Sequence, residues 1–325
     1  VPPNGTMPAA SARTAPDLST GHAPALSAEH APVPAAPNTP GGTAPGVPDL
    51  ASLRGELDTL DDNLHDLLMQ RAAVVEKIAA IAVKGRVALR PGREASIIRR
   101  LLDRHTGRLP RSTLVRLWRE LVAGTTAMQG PYIIAVCDTD PAGSYSAAAH
   151  EHFGALLPMH IHRTPAQAIG EVSTGSAAAA VLPMPAEGEL PGAAWWTALL
   201  HRDDPRIHIT ARLPFWSPRP DGSPRVQALV VSPVAPDPSG ADRSLLGLEV
   251  ALDVSRDRLA QAVTSAGFEP ATTILRRDPA AGVAYALVDV AGFVADGDPR
   301  LAALSQALRP PIVLGAYAVP LTGAA

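Results

Sequence analysis

Cysteine is almost missing from this chain of 325 residues. There is one, Cys137, so no internal disulfide framework exists; that fits a reducing compartment and makes the cytoplasm the expected location. Long apolar runs are missing as well. No stretch of about 18 apolar residues occurs, so nothing is expected to span a membrane. Excess positive charge is also lacking: the net charge is −3, which excludes a global basic field for nucleic acid. No phosphate-binding glycine loop, zinc-ligand spacing or catalytic-triad motif is present. His160 and His162 stand two apart on an expected strand, but with no third ligand they read as a solvated face rather than a metal site. Trp195 and Trp196 read as packing residues.

Residues 1–48, "VPPNGTMPAASARTAPDLSTGHAPALSAEHAPVPAAPNTPGGTAPGVP", have few large apolar side chains. Such a segment cannot bury enough surface to offset chain entropy, and it is read as a disordered Pro/Ala-rich leader. It has neither the basic start nor the apolar core of a secretory signal.

From Leu50 the pattern changes. Leu50, Leu53, Leu57, Leu60, Leu64 and Leu67, then Arg71, then Val74, Ile78 and Ile81 recur at alternating steps of three and four. This is the stripe of a coiled-coil-like helix over 50–83, roughly 50 Å long at about 1.5 Å per residue. It is too long for one small core to cover, so a partner helix is expected, and a second copy is the simplest source. Arg71 sits in the stripe itself. A buried guanidinium needs either a carboxylate that fixes helix register or an anionic ligand. Arg54, one residue off the stripe, reads as a face charge on this evidence.

Two further helices are expected, over about 92–104 behind Pro91, and over about 110–128. The apolar side of the last is read as Leu114, Leu117, Trp118, Leu121 and Val122, with Thr125 and Gln129 continuing it. Residues 50–129 hold 14 Lys and Arg against 9 Asp and Glu, about +5, which leaves −8 for the rest. Arginines directed into a helical interior suit a small dicarboxylate.

Three blocks, "LRGELDTLDDNLHDLLMQRAAVVEKIA", "RPGREASIIRRL" and "LPRSTLVRLWRELVAGTTAMQ", together resemble the all-helical (type II) chorismate mutases. The resemblance covers residues 49–130. It implies an intertwined three-helix homodimer that rearranges chorismate to prephenate with no cofactor and no metal. By position, Arg54 would bind a substrate carboxylate from the partner chain and Arg71 one in its own site. Arg93 would orient the substrate, Glu94 would accept its hydroxyl proton, and Gln129 would donate to the ether oxygen. Thr125 stands where the family has a small hydroxyl residue. One position departs: the lysine that donates to the ether oxygen is replaced by Ala82. Lys84 and Arg86 are the nearest cations, and losing such a donor costs roughly 10²–10³ in rate.

Residues 131–240 read as alternating strands and helices. "GSYSAAAHEHFG" and "AAAAVLPMPAEG" resemble the opening of a prephenate dehydratase domain of the periplasmic-binding-protein type, here truncated. Val226, Gln227 and Ala228 fall where that family has a catalytic Thr-Arg-Phe, so no dehydratase activity is expected. Ser144 and Ser146, after a glycine at a helix start, read as capping residues rather than an anion site. Residues 243–321 read strand, helix, strand, strand, helix, strand, a ferredoxin-like order. "VLGAYAVP" there resembles the closing strand of an ACT domain; the amino-acid-binding signature of that family is replaced by "LRRDP".

The expected fold is therefore a helical mutase module followed by α/β and ferredoxin-like parts. The leading expectation is a chorismate mutase of aromatic amino-acid synthesis, with activity reduced by Ala82. One alternative is a non-catalytic dicarboxylate-binding or regulatory partner of another mutase. The other is a bifunctional chorismate mutase–prephenate dehydratase.

Overall fold

A computed structural model describes residues 49–81, 89–190, 192–201, 203–219 and 221–322. The leader and the segment 82–88, with Ala82, Lys84 and Arg86, lie outside the described residues. The chain divides into two units, Val1–Asp58 and Thr59–Ala325. The described part of the first is the opening of helix α1 (Leu50–Ile81), where the Asp49 carboxylate accepts from the Ser52 amide at 2.7 Å. That is a helix N-cap.

Helices α2 (Pro91–Asp103) and α3 (Arg111–Ala127) follow, with Pro91 at the first turn of α2 as expected. The α/β part then runs β1 (Ile134–Cys137), α4 (Ser144–Phe153), β2 (Met159–His162), α5 (Pro165–Thr174), β3 (Ala179–Pro183), a 3₁₀ turn (Trp195–His201), β4 (His208–Leu213), β5 (Trp216–Ser217) and β6 (Ala228–Ser232). Strands β1, β2 and β3 are parallel; β6 pairs antiparallel with β3 and with β4. The last part is β7 (Asp242–Ala251), α6 (Arg256–Ser265), β8 (Pro270–Asp278), β9 (Val283–Ala291), α7 (Pro299–Ala307), β10 (Ile312–Ala318) and a short β11 (Leu321–Thr322). This is the βαββαβ order read from the sequence, with strands in the order β10-β7-β9-β8, all antiparallel. It is the ferredoxin-like arrangement.

The two halves form one sheet, β2-β1-β3-β6-β4-β10-β7-β9-β8. The seam is β10 against β4, paired at Gly315 and Ile209. Gly315 has φ +148°, and a Cβ there would collide with the Ile209 backbone. Only glycine permits that approach. A polar chain also crosses the seam. Arg243 on β7 donates to Asp289 on β9 at 2.7 Å, and Tyr317 on β10 donates to the other Asp289 oxygen at 2.6 Å. Arg212 on β4 reaches Tyr317 and, at 3.0 Å, the Gln227 side chain. Burial, with Asp289 close by, pushes the Tyr317 hydroxyl up to about 12, so it remains a donor.

Strands β1 and β3 read as near-continuous apolar runs because both faces are covered, whereas β2, at the sheet edge, is not buried. One face packs on α4; the other packs on α5, Trp195 and Trp196. Both tryptophans are buried, as expected for packing residues. The start of α4 differs in detail from its expected capping. Gly143 is the N-cap, and Asp138, from the end of β1, accepts from the Ser146 amide at 2.9 Å and its hydroxyl at 2.5 Å. A carboxylate therefore occupies that helix terminus. Asp138 also bears on the buried Cys137. Burial first, and that carboxylate second, push the thiol up to about 11. Alkylation of the native protein at pH 8 is expected to be on the order of a hundredfold slower than of the urea-unfolded chain, since the thiolate is the reactive form. Equal rates would show an accessible, ordinary thiol.

His160 and His162 both face Glu171 of α5, at 2.8 and 3.2 Å. Among the described residues no group of three or more His, Cys, Asp or Glu could hold a metal ion, and no helix is long and apolar enough to cross a membrane.

Candidate active site

The apolar stripe of α1 points to solvent. Leu57, Leu60, Leu64, Leu67, Val74 and Ile78 are 52–61% exposed, and no residue of α1 is buried. The half-buried positions are Leu68, Arg71, Ala72, Val75 and Ala79. This face lies beside the expected one, and the two share Arg71. Its guanidinium donates to the Thr125 hydroxyl of α3 at 3.0 Å. Thr125 is buried and in turn donates to the Leu121 carbonyl at 2.8 Å. Among the described residues Arg71 has no carboxylate partner. Burial alone pushes its pKa down, with no anion to oppose it. Gln129, just past α3, has a buried side-chain oxygen without a hydrogen-bond partner among the described residues. Arg54 is exposed on the first unit.

The start of α2 is held from the loop between β6 and β7. The Asp237 carboxylate accepts from the Gly92 amide at 2.9 Å, the Arg93 amide at 3.2 Å and the Arg90 side chain at 3.1 Å. An acidic side chain here satisfies orphan amides and suits the helix dipole. A Cβ on Gly92 would run into the Asp237 carbonyl. About two turns on, Arg99 donates to the carbonyls of Ser239, Ala241 and Val319. Ala95, Ile98 and Leu102 of α2 pack with Val115 of α3, Phe215 and Ala318. The second and third helices are thus built into the α/β part.

The Arg93–Glu94 pair splits. Arg93 is exposed. The Glu94 carboxylate lies 3.1 Å from Arg119 of α3, with side-chain exposures of 17% and 6%. The Arg119 guanidinium also lies 4.7 Å from the Phe215 ring centre. Burial raises the Glu94 pKa, Arg119 opposes this, and Asp237 adds to it. His152, half-buried on α4, is held well below the ordinary histidine value by desolvation and by Arg119, so it is neutral at pH 7. The structure therefore joins Arg71 to Thr125 and Glu94 to Arg119. Among the described residues no hydrogen bond or ion pair links these two pairs.

Arg119 and Asp237 escaped the sequence reading. Arg119 carried a signal: Val115, Arg119 and Ala123 are spaced by four and all are buried. The face chosen from the sequence included Leu117, which is 55% exposed. Asp237 lies more than a hundred residues from α2 in a Pro-rich loop and carried none.

Comparison with known proteins bears on these helices. Residues 53–130 match the family model of chorismate mutase type II. The bifunctional chorismate mutase/prephenate dehydratase of Pseudomonas aeruginosa is 32% identical over 139 residues, 41% of this chain and 36% of that protein. That of Neisseria gonorrhoeae is 35% identical over 102 residues, 31% and 27% of the two. The matches to these curated relatives span about a third of their length. Among solved structures, a prephenate dehydratase from Arthrobacter aurescens in complex with L-Phe covers 57% of this chain and 89% of its own, at 14% identity and TM-score 0.42. The quorum quenching acylase GqqA covers 58% of this chain and 96% of its own, at 19% identity and TM-score 0.44. The type II mutase match takes in Arg54, Arg71, Arg93, Glu94, Thr125 and Gln129. It includes Arg119 as well.

Proposed function

We propose that the protein is a chorismate mutase that rearranges chorismate to prephenate in phenylalanine and tyrosine biosynthesis. The observation that carries this reading is Arg71: a half-buried guanidinium whose neighbour is a hydroxyl and not a carboxylate. Such a group is costly unless it meets an anion. Arg71 would hold one substrate carboxylate and Arg54 of a second copy the other, which selects the compact chair needed for reaction. Gln129 would donate to the ether oxygen, where charge builds in the transition state. Arg93 and Glu94 would orient the substrate hydroxyl. No general base, cofactor or metal takes part.

The proposed assembly is a homodimer in the cytoplasm, formed through the exposed stripe of α1. We assign residues 1–48 to a leader, 49–130 to the mutase, 131–240 to a truncated dehydratase-like part and 243–321 to an ACT-like part. Gln227 replaces the arginine of the dehydratase motif, so no dehydratase activity is proposed. Incubating the full chain with chorismate and following the mixture by NMR checks both statements. Prephenate is expected to accumulate, without phenylpyruvate until acid is added. Phenylpyruvate formed at neutral pH would instead support the bifunctional alternative, the activity pair in the names of the relatives. A second reading, a non-catalytic dicarboxylate binder, is favoured by the exposed Arg93 and by Ala82; binding of chorismate without turnover would support it.

A further inference from the structure

Glu94 is the acidic residue of the proposed site, and it lies among desolvating neighbours. Asp237 adds negative charge to its surroundings, and burial raises its pKa. A carboxylate there needs a cation to remain ionised. Arg93, adjacent in sequence, is exposed and has no side-chain bond to it among the described residues. The cation is Arg119, at 3.1 Å from Oε2. Arg119 is buried and fixed: Phe215 lies against its guanidinium, and α3 carries it between Val115 and Ala123, both buried. Oε1 of Glu94 accepts no hydrogen bond among the described residues.

We infer that Arg119 is a positioning residue for Glu94. It neutralises and clamps one carboxylate oxygen so that the other is an ionised, fixed acceptor for the substrate hydroxyl. Resting on the mutase reading, the inference adds a residue to it. It also ties the site to the α/β part, because Phe215, which precedes β5, forms the other side of the clamp. Among the described residues, the charged and titratable groups facing this carboxylate are Arg119, Tyr132, which interacts electrostatically with both, and Asp237 from its loop. His152 faces Arg119 and is neutral.

The sign of the effect follows. Withdrawing a cation favours the protonated carboxyl, so its midpoint rises, and activity that needs the carboxylate is lost at a higher pH as pH falls. Arg119→Gln is expected to raise the Glu94 midpoint by about 1–3 pH units, read by carbon NMR of the labelled side chain. The acid limb of the kcat/KM profile for chorismate is expected to move by the same amount, and Arg119→Lys to restore part of it. On a Glu94→Gln background, Arg119→Gln is expected to add less than about twofold, since the two act as one unit. That double variant buries no unpaired charge and provides a folded comparison. An unchanged Glu94 midpoint, equal losses on both backgrounds, or faster turnover in Arg119→Gln would overturn the inference. The NMR titration reads the Arg119–Glu94 relation whether or not the wild type turns over chorismate, so failure of the mutase reading is seen separately, in the wild-type rate.

Discussion

If the proposed homodimer forms through the α1 stripe, Leu64→Glu is expected to give a monomer and to lower chorismate turnover by at least about 10²-fold, the loss typical of withdrawing one positioned cation. Leu64 lies mid-way along the stripe and is 54% exposed in the single chain. Fully burying such a side chain is worth about 1.5–3 kcal/mol, so a half-exposed one gains about half of that. Six of them from each of two copies gain about 9–18 kcal/mol, against an association cost of about 4–15. The contact is therefore sufficient but without much surplus. A carboxylate at its centre costs several kcal/mol per copy in desolvation. The variant should retain its helical circular dichroism from the parts that do not depend on the contact, sediment as a monomer, and lose the Arg54 proposed to come from the second copy. A variant that sediments and turns over as the parent does would show that this stripe is not the interface.

Gly315→Ala has the largest expected effect on stability, about 3 kcal/mol or more. The added methyl would strike the Ile209 backbone, and φ +148° is a region that side chains rarely adopt. Neither strain is relieved by a side-chain movement, because the obstacle is main chain. Separating β10 from β4 also disturbs the Arg212–Tyr317–Asp289 chain across the seam. Gly170→Ala is the control. It lies inside α5 with nothing near its added methyl, and helix propensity alone predicts a gain of about 0.5–1 kcal/mol. Urea midpoints of the two variants should therefore move in opposite directions. A Gly315→Ala protein as stable as the parent would mean that the seam is not so close.

What could be read from the sequence was periodic or local. The stripe from Leu50 to Ile81 and the βαββαβ order of the last part follow from spacings of three, four and two, and Pro91 at the start of α2 from proline's fixed φ and missing N–H; all are present. Arg71 stood out because an arginine in an apolar stripe breaks a rule. Faces were harder to read. On α1 and α3, two stripes one residue apart are both apolar enough to bury, and only the packed neighbours select one. Hence Leu117 is exposed while Arg119 is buried. Pairings between distant segments were not legible at all. Nothing in the sequence near Glu94 points to Asp237 or Phe215, and nothing near Gly315 points to Ile209; these are set when the sheet closes. The Arg93–Glu94 pair illustrates both cases. Its place at a helix start was readable, but the burial of one member beside Arg119 was not.

Whether Arg71 holds a substrate anion is tested by following chorismate loss by absorbance, with the full chain beside Arg71→Ala. Turnover in the parent is expected well above the uncatalysed rate, with a fall of at least about 10²–10³-fold in the variant and the melting temperature little changed. A parent no faster than the background, or a variant as fast as the parent, would contradict it.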